Sequence, residues 1–179
     1  MTLRLPPRAL PSAFDSNDPP VTRSMARVPI ASLADDGAEM AVLAAVMLTA
    51  GHPNVTYQRL AALGVDAQAF SDPRRAVVWQ AFEGLTRKGR PVDILTLAEE
   101  LRSMSDSGRL NTVGGAQFLG EITDFIPTIA HCEAHGEIVM DHARLRLALA
   151  KAQEMVVTAT STGPAVERLA KIRALAAEI

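Results

Sequence analysis

One cysteine, Cys132, stands among 179 residues. That excludes an internal disulfide and any zinc framework of four cysteines, or of two cysteines with two histidines, and it fits a reducing, cytoplasmic setting. Aromatic residues are equally scarce, with five Phe, one Trp and one Tyr, too few for a platform on which successive nucleobases stack. Neither sign of charge dominates: 18 Lys plus Arg oppose 20 Asp plus Glu for a net charge of -2. Neutralising phosphates is therefore not the main task of this chain, and direct DNA binding is expected to be weak or absent. The most apolar window, Met40 to Ala50, is about half the roughly 20 residues a bilayer crossing requires, so no membrane role is expected.

Hydrophobic residues make up 48% and charged residues 21% of the chain, which suits a globular core and excludes wholesale disorder. The first thirty residues differ. Pro6, Pro7, Pro11, Pro19, Pro20 and Pro29 punctuate them without apolar periodicity, which predicts a flexible tail over residues 1–30. Arg4, Arg8, Arg23 and Arg27 lie in the same stretch, but Asp15 and Asp18 interrupt the acid-free pattern of a transit peptide.

Beyond the tail every periodic segment reads as helix. Asp36 with Glu39 three residues on has the form of a capping box before Val42, Leu43, Val46 and Met47. Leu60 and Leu63 mark a second helix ending near Gly64. A third starts from the cap Asp72 and Pro73 and carries Val78, Trp79, Phe82 and Leu85 inward. Asp93 caps a fourth with Ile94, Leu97 and Leu101 on its inner face, closed by a polar turn around Ser105 to Gly108. Gly114-Gly115 predicts a turn needing positive φ before a short helix with Phe118, Leu119 and Ile122. The expected fold is all-α: a small helical bundle over residues 31–128, then a long helix and helical hairpin over residues 129–179.

The long helix carries the most informative pattern. Between about Ala130 and Thr158 no proline occurs. His131, His135, Ile138, His142, Leu145, Leu149, Ala152, Val156 and Ala159 follow alternating steps of four and three. That spacing is a heptad seam, which packs lengthwise on another helix. Ile138, Leu145, Leu149 and Val156 each contribute about 1.5–3 kcal/mol when buried. Association costs about 4–15 kcal/mol in return, so self-pairing and capture of a partner helix are both open. Ser161-Thr162-Gly163 and Pro164 break the helix, and Ala165, Leu169, Ile172 and Ala176 share one side of the last helix, which is able to cover part of the seam.

Catalytic signatures are wanting. Gly115 and Gly120 have the glycine spacing of a phosphate loop, but Glu121 sits where that loop needs lysine and would repel phosphate. His131 and His135 stand at the i,i+4 separation of two metal ligands, beside Cys132 and Glu133. Cys132 is turned about 100° away from His131, however, and His142 lies about two turns further on, so seam histidines are the plainer reading and no metal or cofactor is expected. Asp141 and His142, or Glu99 and Glu100, form no catalytic geometry. Basic residues gather at Arg74-Arg75, at Arg87-Lys88 with Arg90, and at Arg168, Lys171 and Arg173, and they leave a nucleic-acid-binding regulator as an alternative. Asn54-Val55-Thr56 matches the glycosylation tripeptide, idle without export.

In order and spacing these segments resemble the N-terminal domain of DnaB-type replicative DNA helicases. The residues that carry the likeness are Ala38-Glu39 before Val42-Leu43 and Met47, then Phe70, Arg75, Val78 and Phe82. Gly89-x-Pro91-Val92-Asp93 follows, before Thr96-Leu97 and Leu101. Val113-Gly114-Gly115 then precedes Phe118-Leu119, and Pro127-Thr128 opens the long helix with Ile138-Val139 and Arg146. The likeness spans about residues 36 to 157. The turn between Leu101 and Val113 is longer than usual in that family, and His131 and His135 replace what is more often Asn and Tyr. No counterpart of the family's ATP-hydrolysing motor is found, so helicase and ATPase activity do not carry over. The resemblance implies a non-enzymatic interaction module of DNA replication, whose partners are a replicative helicase, a primase, a helicase loader or a second copy of itself as a homodimer. A separately encoded or truncated piece of a helicase is the alternative. Ile138, His142, Leu145, Leu149 and Val156 are the expected contact seam, with Asp72, Asp93, Gly114, Gly115 and Pro127 as structural caps and turns.

Overall fold

A computed structural model of the chain describes residues 33–49, 53–104, 109–125 and 129–179. The expected tail over 1–30, the polar turn Ser105 to Gly108 and Pro127 lie outside the described residues. Within them every regular element is helical.

Helix α1 (Asp36–Leu48) is the central rod: Val42, Leu43, Ala44, Ala45 and Val46 are fully buried, so apolar residues occupy its whole circumference and not only one stripe. Its cap is Asp35, which accepts from the Ala38 N–H at 2.9 Å, and not Asp36 as the capping-box pattern suggested. Glu39 is drawn inward to Arg75 and is no longer available to reach back to the cap. Helix α2 (Val55–Ala62) begins at Asn54, whose Oδ1 accepts from the Tyr57 N–H while Nδ2 donates to the carbonyls of Val46 and Thr49. Leu60 enters the core, whereas Leu63 stays partly exposed at the edge.

Helix α3 (Pro73–Arg87) starts as predicted, with Asp72 accepting from the Arg74 N–H at 2.8 Å. Its Trp79 is the hub of an aromatic cluster, 5.1 Å from the Tyr57 ring and 5.5 Å from Phe70, with Phe82 edge-on at 6.2 Å. Helix α4 (Ile94–Ser103) opens on a capping box between Asp93 and Thr96. Leu97 and Leu101 face inward as expected, but Ile94 is 40% exposed. Val92, just before the helix, fills that end of the core. A single turn, α5 (Arg109–Thr112), leads to Gly114, whose φ of 103° opens α6 (Gly115–Asp124) as the paired glycines foretold.

After a 3₁₀ turn at Ile129–His131, helix α7 (Cys132–Thr160) runs for 29 residues. It packs along α1, and α2 touches its first turns. Ser161 to Gly163 breaks it, and α8 (Ala165–Ala176) folds back along its second half.

Candidate interaction surface

The surface of α7 divides into three stripes by helical periodicity, at about 100° per residue. One stripe, Cys132, Gly136 and Val139 with Met140 and Ala143 beside it, is buried against the bundle. At Gly136 the approach is close: an added Cβ would fall 2.7 Å from Leu60 Cδ2. Two polar clamps fix the register. Glu133 pairs with Arg59 of α2 at 2.7 Å, and Arg146 donates to the carbonyl of Leu33 at 2.8 Å and to that of Ala69.

Further along, α8 covers a second stripe. Thr158 and Leu175 are buried, and Lys151, Met155 and Ile172 are half-buried between the helices. Lys151 pairs with Glu178, a hydrogen bond that raises the lysine pKa above its ordinary value. Lys171 meets Glu154 at 3.5 Å, and Arg168 closes the hairpin by donating to the carbonyls of Ala159 and Ser161 at 2.8 and 3.0 Å. Helix α8 thus leaves the seam open instead of lying across it.

The third stripe is the predicted seam. Ile138 is 39% exposed, Leu145 52% and Val156 46%, while His142 and Leu149 are half-buried at its margin. The ion pairs Lys151–Glu178 and Lys171–Glu154 mark one edge of the hairpin. Turning both antiparallel helices away from that edge brings the seam of α7 and the exposed Ala165, Leu169 and Ala176 of α8 onto the same face, with Ile172 at its inner margin between the helices. Leu169 is 53% exposed there. Sequence reasoning found both ribbons but not their union, because each periodicity is internal to its own helix; the signal lay in the charges at Lys151, Glu154, Lys171 and Glu178 on the other edge. The combined face bears apolar side chains and histidines and no Lys, Arg, Asp or Glu at any seam position.

The remaining candidates come apart in three dimensions. His131 is exposed and Cys132 buried, and among the described residues no three His, Cys, Asp or Glu side chains converge on a metal position. The basic clusters are largely neutralised. Arg74 pairs with Asp72, Arg87 with Glu83, Lys88 with Glu100 and Arg90 with Glu99. Arg74 also stacks over Phe118 at 4.5 Å. Asn54 of the tripeptide is buried and fully engaged as a cap. Gly120 sits inside α6, not in a phosphate loop. No described helix is long and apolar enough to cross a membrane.

Residues 32–141 match the family described as the DnaB-like helicase N terminal domain. A replicative DNA helicase DnaB of Treponema pallidum (strain Nichols) is 33% identical over 119 residues, covering 66% of this chain and 25% of the relative. The corresponding protein of Leifsonia xyli subsp. xyli (strain CTCB07) is 34% identical over 77 residues, covering 43% and 16%. The chain therefore spans a quarter or less of the length of these relatives. In fold it is similar to the N-terminal domain of DnaB helicase from Mycobacterium tuberculosis, with TM-score 0.71 and 24% identity over 81% of this chain and 97% of that one. It is also similar to a structure of a DnaB-like replicative helicase and its interactions with primase, with TM-score 0.57, 21% identity, and coverage of 77% and 31%.

Proposed function

Because this chain belongs to the DnaB-like helicase N-terminal domain family, we propose that it is a non-enzymatic module of DNA replication that docks, helix to helix, through the joint α7–α8 face. The family match is to the helicase N-terminal domain, which supports a reading in which the module works by contact. Its first occupant is a second copy of the same chain. The seam positions themselves carry no fixed charge, so they meet their own copy with no like-charge juxtaposition, and heptad spacing on both sides allows knobs to enter holes. One observation carries this reading: Ile138, Leu145, Val156 and Leu169 remain 39–53% exposed along one side of a hairpin whose other edge is laced with ion pairs.

Leu145→Glu is the test, because this side chain lies in the middle of the seam and outside the bundle core. Sedimentation at micromolar concentration is expected to show a pair for the parent chain and a monomer for the variant, with unchanged far-UV circular dichroism. An unchanged pair in the variant removes the face from the interaction. A parent that sediments as a monomer, yet binds a purified primase or helicase in a manner lost with Leu145→Glu, assigns the same face to that partner.

A further inference from the structure

The stripe by which α7 meets the bundle does not stop where the bundle does. Cys132, Gly136, Val139, Ala143 and Arg146 follow steps of four and three, and the same steps continue through Ala150, Gln153 and Val157. Up to Arg146 the stripe is covered: Cys132, Gly136 and Val139 are buried, and Ala143 and Arg146 are half-buried. Beyond it the cover ends. Ala150 and Gln153 are exposed, Val157 is 66% exposed, and Leu147 beside them is 47% exposed. This strip is separate from the pairing seam, because Ala150 and Leu149, like Val157 and Val156, are consecutive residues and so lie about 100° apart round the helix. We propose that the strip is covered by this chain's own residues 27–32, laid extended along α7 from Leu33 toward Val157. The segment thereby braces the projecting hairpin against the bundle.

Leu33 fixes the starting point. Its carbonyl accepts from Arg146 Nη1 at 2.8 Å, so the chain that precedes Leu33 is delivered to the last covered position of the stripe. The reach is sufficient. From Arg146 to Val157 the helix rises about 16 Å at about 1.5 Å per residue, a length that about five residues of extended chain span at about 3.3 Å each. The sequence there is Arg27-Val28-Pro29-Ile30-Ala31-Ser32. Pro29 confines Val28 to extended backbone, and the strand period of two then sets Ile30 and Val28 on one side, toward Leu147, Ala150 and Val157. Ala150 is small and stands between two larger apolar residues, which leaves room for a side chain the size of Ile30. Covalent tethering decides among occupants. A segment joined to the rim of its site acts at an effective concentration of about millimolar, above that of a second copy at micromolar concentration.

Disulfide trapping in the full chain is the experiment. Ile30→Cys with Ala150→Cys brings two thiols within the Cα separation of about 7 Å that a disulfide permits. Ile30→Cys with Ala152→Cys is the control, since residue 152 lies about 200° round α7 from residue 150 at nearly the same height. Cys132 is 1% exposed and stays in place. Under mild oxidation the first pair is expected to close within one chain at least about tenfold faster than the control, with far-UV circular dichroism confirming equal helicity. Equal rates overturn the proposal. A first pair that closes only between two chains also overturns it and gives the strip to a second copy. Adding Val28→Asp to the first pair is expected to bring its rate down to that of the control, and a rate that stays high overturns the apolar cover. Adding Leu145→Glu is expected to leave closure unchanged, so loss of pairing and loss of this cover are read apart; slower closure in that background overturns the separation of strip and seam.

Discussion

Arg75 donates from Nη1 to Glu39 Oε2 at 2.8 Å, tying α3 to α1 across 36 residues of sequence, and both side chains are nearly excluded from solvent at 9% and 1% exposure. Arg75 also reaches Asp36 Oδ1 at 2.6 Å, and Glu39 Oε1 accepts from the Ser71 N–H at 2.8 Å. Burial opposes the charge on Arg75, but its bonds to Glu39 and Asp36 outweigh that, and the guanidinium pKa is raised. Removing one member of a buried pair strands the other. Arg75→Met is therefore expected to cost about 3–5 kcal/mol in urea unfolding, and the double change Arg75→Met, Glu39→Leu to recover most of it. If the single change costs under about 1 kcal/mol, the pair is not a determinant of the α1–α3 contact.

Asn54 is 1% exposed and makes three hydrogen bonds that close the turn between α1 and α2. Asn54→Ala leaves the Val46 and Thr49 carbonyls and the Tyr57 N–H without their partner. The expected loss is about 1–3 kcal/mol by thermal or urea melting, while Thr49 and Thr56, whose hydroxyls bond each other at 2.7 Å, keep part of the corner in place.

Gly136 is required by close approach and not by backbone freedom, since it lies within α7 and its missing Cβ makes room for Leu60. Gly136→Val is expected to destabilise by about 1–3 kcal/mol, because overpacking of the fully buried Leu60 outweighs any gain in helix propensity. Equal or greater stability in chemical denaturation would mean that α7 can shift away from α2 at no cost.

Asp72 combines a cap with an ion pair to Arg74 at 2.7 Å. Burial pushes its pKa up, but hydrogen bonds from the Arg74 side chain and backbone prevail and hold it below the ordinary 3.8. A folded-state value below the unfolded one means stability that is present above the unfolded value and lost as pH falls through the folded one. Asp72→Ala is accordingly expected to cost about 1 kcal/mol near neutral pH. The gap from the parent should close as pH falls below 3.8, and a gap independent of pH would separate the cap from the charge.

Much of this was legible beforehand, for identifiable reasons. Asp72 with Pro73, Asp93, Gly114 and Pro164 act on backbone groups within a few residues, so their meaning is complete in the local sequence. What escaped was non-local. Asp35 rather than Asp36 caps α1 because Arg75, far along the chain, claims Asp36 and Glu39. Ile94 is displaced outward where Val92 takes the core position, and no periodicity distinguishes two apolar residues that compete for one place.

The heptad of α7 and the apolar side of α8 were determined by sequence alone, because helical periodicity depends only on spacing along one chain segment. Which stripe the bundle would cover, which α8 would cover, and which would stay bare was decided by tertiary packing. Gly136 admits Leu60 on one side and the ion pairs of Lys151 and Lys171 settle α8 on another. The seam is left exposed because those two contacts, between segments remote in sequence, set the rotation of the helix.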